Sequence, residues 1–224
     1  MDQFSDSWYC YQFRYCSVNN LGELIITTII CLLPMAIGAY FYQELPQKMA
    51  IHWGSEGANG WAPKAFACFG IPAIMAALNV LVHVLLENDP KKNYGSAIKR
   101  FSKWLIPVVG LVCMVMMISA GLGHQVAIDT AVPALVGLSF VVLGNYLPKC
   151  KQNYTVGIKC PWTLHSEENW NKTHHLAGYL FILAGLVMIV TAFFAIPSGI
   201  TLAIILATAF IPLIYSFALY KKGI

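Results

Sequence analysis

Two stretches of the chain carry side chains able to bind or react. Residues 45–64 read LPQKMAIHWGSEGANGWAPK, placing His52 four residues before Glu56, flanked by Trp53 and Trp61, with glycines at 54, 57 and 60. Zinc takes three or four protein ligands, so one histidine and one carboxylate make a weak metal reading. The two tryptophans suit the boundary between water and hydrocarbon, and Asn59-Gly60 is a turn signal. Residues 144–175 bring a second set of ligand types: Cys150, Cys160, His165 and His174. Their spacing matches no C-x-x-C or H-E-x-x-H pattern. Structural or interface roles are expected for them. No metal, cofactor or catalytic residue is expected, and the chain is not read as an enzyme.

Local signals within 144–175 are ordered. Ser166 has the chemistry of a helix N-cap, and Glu167 and Glu168 suit the positive end of the helix that follows. Glu168 and Lys172 are spaced as a helical ion pair, while Trp170 and His174 share another face. Pro161 imposes an extended approach to Trp162. A short helix should therefore run straight into the next apolar block.

The elements that must position these stretches are membrane helices. Of the 224 residues, 58% are hydrophobic and 11% charged, against roughly 25% charged in soluble domains. Six apolar blocks recur, at about 22–43, 65–87, 104–124, 126–147, 176–196 and 199–219. Each reaches the ~20 residues that a helix needs to cross a bilayer, and none alternates like a barrel strand. The expected fold is all-α: a polytopic membrane protein of six transmembrane helices.

Twelve Lys and Arg residues fall in one set of connections and tails, and two, Lys48 and Lys64, in the other. By the positive-inside rule both termini are expected to be cytoplasmic and residues 44–64 to lie outside. The division is a tail at 1–21, read as an interfacial segment, and a two-helix unit at 22–87 whose external loop is 44–64. A basic connection at 88–103 and a four-helix unit at 104–224, with its cytoplasmic loop at 148–175, complete it. The net charge of +4 matches attraction to anionic lipid and calls for no nucleic acid. Cysteines in this arrangement lie in helices or face a reducing compartment, so structural disulfides are not expected.

Inside the blocks, Pro34, Pro72, Pro107, Pro133 and Pro212 tend to kink their helices. Small residues such as Gly137, Gly178 and Gly185 allow close helix approach. Ionisable residues are sparse: Glu23, Glu87, His124 and Asp129 lie within a turn of a boundary, and His83 is a turn deeper. Proton-coupled transport normally needs more.

The second stretch resembles the signature of SdpI-type immunity proteins. The matching residues are Gly144-Asn145-Tyr146, Pro148-Lys149, Asn153-Tyr154, Gly157-Ile158-Lys159, Pro161-Trp162-Thr163-Leu164, and Trp170, Lys172, Thr173 and His174. The first stretch is similar to a small membrane domain of unknown function that often precedes that signature, through Leu45-Pro46, His52-Trp53, Gly57, Asn59-Gly60-Trp61 and Lys64. Lys159 stands where arginine is usual and keeps the charge without the bidentate fork.

The resemblance implies protection of a bacterium against a secreted toxic peptide, and relay of toxin engagement to a cytoplasmic helix-turn-helix repressor. His52, Trp53, Gly57 and Trp61 are then the expected toxin-facing residues. Asn145, Asn153, Gly157, Lys159, Pro161, Trp162, Thr163, Trp170, Thr173 and His174 are the expected partner-loop residues. The expected setting is the bacterial cell membrane with lipid as its constant partner. The alternative is a small exporter of a peptide or hydrophobic compound, for which inverted repeats would be the mark; no convincing repeat relates 22–124 to 126–219.

Overall fold

The structure, a computed structural model, describes residues 5–54, 57–91, 95–194 and 198–224, with side chains from Leu21 onward except that of Ser198. Helix α1 (Ser5–Tyr40) leads to a hairpin of β1 (Lys48–Gly54) and β2 (Gly57–Pro63). A π-helical turn (Phe66–Gly70) opens into α2 (Ile71–Glu87), followed by α3 (Ser96–Gly121) and α4 (Ile128–Tyr146). A 3-10 turn (Leu147–Lys149), the short α5 (Pro161–His165), α6 (Glu167–Thr191) and α7 (Ser198–Lys221) complete the order.

Among the described residues, six stretches are long and apolar enough to cross a membrane: Leu21–Tyr40, Phe66–Glu87, Ser96–Gly121, Ile128–Lys149, Glu167–Thr191 and Gly199–Lys221. Their outward faces carry exposed Ile25, Ile29, Leu78, Leu85 and Leu206, as lipid-facing surface must. The fold is a multi-pass helical membrane protein with one added hairpin.

Several boundaries differ from the sequence reading. The segment read as an interfacial tail is helical from Ser5 and runs unbroken into the first span. Helix α3 begins at Ser96, so the end of the basic connection is already helix. Pro72 is not mid-span: it lies in the first turn of α2, behind the π-helical turn in which the Ile71 N–H reaches the Phe66 carbonyl. That wider turn accommodates a ring that would otherwise clash one turn back.

Helices α1, α2 and α3 pack on one another, while α4 and α6 form the most extensive helix pair and α7 packs on α6. The α4–α6 crossing is made by glycines. A Cβ added to Gly137 would lie 2.7 Å from the Gly185 carbonyl oxygen, and one on Gly144 would lie 2.7 Å from that of Gly178. Each pair is seven residues from the next on both antiparallel helices, so backbone meets backbone along two turns. Gly137→Ala should therefore force the helices apart and cost about 1–3 kcal/mol, read as a lower unfolding midpoint in detergent. An unchanged midpoint would show that the crossing tolerates a methyl group.

At the other contact region, Leu45 and Met49 of the hairpin segment enter a core with Ala67, Cys68, Met114, Met117 and Ile118. The hairpin is thereby fastened to the ends of α2 and α3. Lys64 completes the attachment: its ammonium donates to the carbonyls of Tyr42 (2.8 Å) and Leu45 (3.2 Å), and lies 4.5 Å from the centre of the Tyr42 ring.

Candidate functional site

At the hairpin end, the stretch read as a glycine-rich loop is two paired strands. Its register runs from Lys48 opposite Pro63 to Gly54 opposite Gly57. The reversal therefore falls between Gly54 and Gly57, not at Asn59-Gly60, and Gly57 adopts a φ of +99° that favours glycine. The register skips Ile51 on β1 and Asn59 on β2, two bulges that re-aim the neighbouring side chains. Asn59, freed from pairing, accepts through Oδ1 a 2.6 Å hydrogen bond from His52 Nδ1. Glycine at position 60 leaves room for that ring, since a Cβ there would be 2.8 Å from the His52 Cβ.

The two tryptophans separate in role. Trp53 packs against the Leu45–Met49 core, whereas Trp61 is 59% exposed and Ile51 37% exposed. Ile51, His52 and Trp61 are exposed at this end.

At the opposite end of the helices, residues 150–165 are folded tightly by their own motif residues. Asn153, fully buried, donates to the carbonyls of Lys151 and Val156 (both 2.9 Å) and accepts from the Thr155 and Val156 amides at 2.9 and 2.6 Å. Lys159 spends its ammonium on the Tyr154 and Thr155 carbonyls at 3.1 and 3.0 Å. Thr163 Oγ1 accepts from the Cys160 amide (2.9 Å) and lies 3.0 Å from the Ile158 carbonyl, to which it donates, closing the first turn of α5 behind Pro161. Cys160 itself is extended, as the residue before a proline should be.

Helix α6 supplies the floor. Ser166 accepts from the Asn169 amide at 3.1 Å, the expected N-cap, and Lys172 pairs with Glu168 at 2.7 Å. Trp170 is wholly buried, donates its indole N–H to the Cys150 carbonyl (2.7 Å) and stacks on His174 with ring centres 4.0 Å apart. His174 Nε2 accepts from the Ile158 amide (3.0 Å), so Nδ1 carries the proton and donates to the Trp170 carbonyl (2.8 Å). Gly157, at φ +119°, makes this possible: a Cβ there would strike His174 Nε2 and come within 3.0 Å of the Trp170 ring. Thr173 donates to Asn169 Oδ1 at 3.1 Å, and Asn169 Nδ2 reaches the Ser216 and Ile224 carbonyls of the carboxyl-terminal segment.

The partner-loop residues thus divide. Asn153, Thr163, Trp170, Thr173 and His174 are internal braces, while Asn145 is exposed and bonded to Lys149 at 3.3 Å. Trp162 is half-buried, donates to Ser216 Oγ (2.7 Å) and stacks on Tyr220. With Pro161, His165, Ser166 and Tyr220 it borders a cavity of about 670 Å³. That cavity is one open part of the loop end. Among the described residues no three His, Cys, Asp or Glu side chains converge on a metal position.

Two features escaped the sequence reading. Asp89, in the α2–α3 connection, accepts from the Tyr154 amide (3.0 Å) and the Thr155 hydroxyl (2.6 Å), tying the loop to the first three helices. Second, Lys103, 1% exposed, meets Glu23 Oε2 at 3.1 Å and Glu87 Oε1 at 2.9 Å. Lys99 also pairs with Glu87 at 2.9 Å, and Trp104 donates to Glu23 at 3.0 Å. A polar seam continues inward: Thr27 Oγ1 lies 3.1 Å from His83 Nε2 and 3.0 Å from Asn79 Nδ2. Glu23 and Glu87, each near a span boundary, are thus gathered with Lys99 and Lys103 into one cluster across α1, α2 and α3. No spacing signal joins Glu23 to Lys103, which lie 80 residues apart.

Six spans, a fastened hairpin at one end and a braced loop at the other define a multi-pass membrane protein. Residues 149–216 match the SdpI/YfhL protein family, and residues 29–76 match a domain of unknown function, DUF1648. The resemblance read from the two stretches is borne out by these two matches, one in each region. It is similar to the immunity protein SdpI of Bacillus subtilis (strain 168), with 28% identity over 200 residues covering 88% of this chain and 96% of that protein. No solved structure matches it.

Proposed function

We propose that this protein is a membrane immunity protein that protects a bacterium against a secreted toxic peptide. The observation that carries the reading is likeness to the Bacillus subtilis immunity protein along 96% of that protein's length. In this reading the toxin meets the hairpin, where Trp61 and Ile51 offer apolar surface beside the His52–Asn59 pair. The loop end, with its cavity beside Trp162, faces the cytoplasm and offers a helix-turn-helix repressor its docking place. A relay between the ends requires the toxin to bind two arrangements of the helices with different affinity.

The test is survival of a toxin-sensitive host expressing the protein. Wild type should protect, and Trp61→Ala should lose most of that protection at an unchanged unfolding midpoint, because the side chain is exposed. Unchanged killing by every candidate peptide would sink the immunity reading. Full protection by the variant would move the toxin site away from the hairpin.

Orientation is tested with a membrane-impermeant maleimide. Cys150 is a poor reporter: burial pushes its thiol up to about 11, only partly offset by the hydrogen bond from Asn153. With a folded-state value raised from 9.0, the group stays a protonated, unreactive thiol through neutral pH. The contribution of that thiol to stability is fully present below pH 9 and fades as pH rises toward 11. Lys151→Cys, at an exposed position, should label only after the cells are permeabilised. Labelling in intact cells would place the loop outside.

A further inference from the structure

We propose that the groove between α3 and α4 at the loop end is a binding site for one anionic glycerophospholipid. The groove encloses about 460 Å³ and is bordered by Ser96, Arg100, Phe101 and Trp104 of α3 and by Val142 and Tyr146 of α4. It lies on the seam between the first three helices and the last four, where α3 and α4 touch far less than α4 and α6 do.

The charge in the groove is what selects the occupant. Lys99 and Lys103, flanking Arg100 on α3, are committed to Glu87 and Glu23. Arg100 is exposed and makes no hydrogen bond or ion pair among the described residues. It stands in the second turn of a helix that begins at Ser96, roughly 6 Å below that helix's start at 1.5 Å per residue. A guanidinium at this depth sits at headgroup level, and its planar fork suits a phosphodiester. Lys149, whose ammonium is 5.6 Å from the centre of the Tyr146 ring, adds a second cation on the α4 side.

The walls below the guanidinium are apolar and aromatic. Phe101 and Tyr146 lie with ring centres 6.3 Å apart. The Trp104 indole N–H is turned to Glu23, which leaves its ring surface as wall. Cationic rim, aromatic collar and apolar cleft match a phosphate headgroup with an acyl chain beneath it, the arrangement by which basic pockets between membrane helices hold anionic lipid. A water-soluble phosphate would use the rim and leave the cleft empty.

The experiment compares unfolding midpoints of the purified full-length protein in dodecyl maltoside with added phosphatidylglycerol, phosphatidylcholine or inorganic phosphate. Phosphatidylglycerol should raise the midpoint by about 3 °C or more, and the other two should leave it in place. Arg100→Gln should unfold at the wild-type midpoint without lipid and lose the phosphatidylglycerol shift. Val142→Trp, which fills the cleft and keeps the guanidinium, should lose the shift as well and decides the matter if Arg100→Gln does not fold. An equal rise with phosphatidylcholine, an equal rise with inorganic phosphate, or a shift that survives in a folded variant would each overturn the site.

Discussion

Lys103→Met should lower the unfolding free energy by about 2–4 kcal/mol, among the largest effects of any single substitution in the first three helices. The methionine replaces the side chain's volume but not its charge. It leaves Glu23, 25% exposed, with the Trp104 indole donor, and Glu87, 32% exposed, with Lys99 beside it. Breaking one side of a buried ion pair strands the other in low dielectric, and that penalty exceeds the net worth of the pair. Partial exposure of both carboxylates keeps the figure below the full cost of a buried charge. The combined variant Glu23→Gln, Glu87→Gln, Lys103→Met should recover most of the loss, because the cation that then loses its carboxylate, Lys99, is 28% exposed and stays in reach of water. Thermal unfolding in detergent reads both outcomes. If the single variant melts with wild type, the cluster is not what holds α1, α2 and α3 in place.

Trp170→Ala should cost about 3–5 kcal/mol and loosen the loop end specifically. The ring is wholly buried, joins Leu86, Ile98 and Cys150 in one core cluster, and supports His174 by stacking. Its loss removes contacts from α2, α3 and the loop together, and leaves the Cys150 carbonyl without its indole donor. Trp170→Phe should keep most of the packing and lose only the hydrogen bond, at about 1–2 kcal/mol. Hydrogen exchange supplies the second readout. The Ile158 amide, held by His174 Nε2 at 3.0 Å, should exchange faster in Trp170→Ala and stay protected in Trp170→Phe. Protection retained in both would show that His174 is held in place without its stacking partner. Because Trp170 and His174 are braces, loss of partner binding in such variants reports a collapsed loop; Trp162 and His165 beside the open cavity are the positions that test contact itself.

Much of the loop end was legible because its signals are local. Ser166 capping α6, Glu168 reaching Lys172, Trp170 lying against His174 and Cys160 extended before Pro161 all involve partners within about one helical turn. The hairpin end was less legible. Glycines at 54, 57 and 60 are compatible with a loose loop as well as with a bulged strand pair, and only the register against β1 shows that Asn59 faces His52 instead of forming the turn.

Apolar composition and length by themselves determined the six membrane crossings, since a backbone in hydrocarbon must satisfy its hydrogen bonds within each apolar segment. Short-range spacing likewise determined the caps and pairs along α6. Tertiary structure alone decided which polar side chains are braces and which are surface, and brought Glu23, Glu87 and Lys103 together from three helices. It also latched Asp89 onto a loop some 65 residues away. The reason is physical: burial and charge pairing depend on which helices become neighbours, and neighbours in a bundle are chosen by close contacts, such as those of Gly137 with Gly185, that leave no period in the chain.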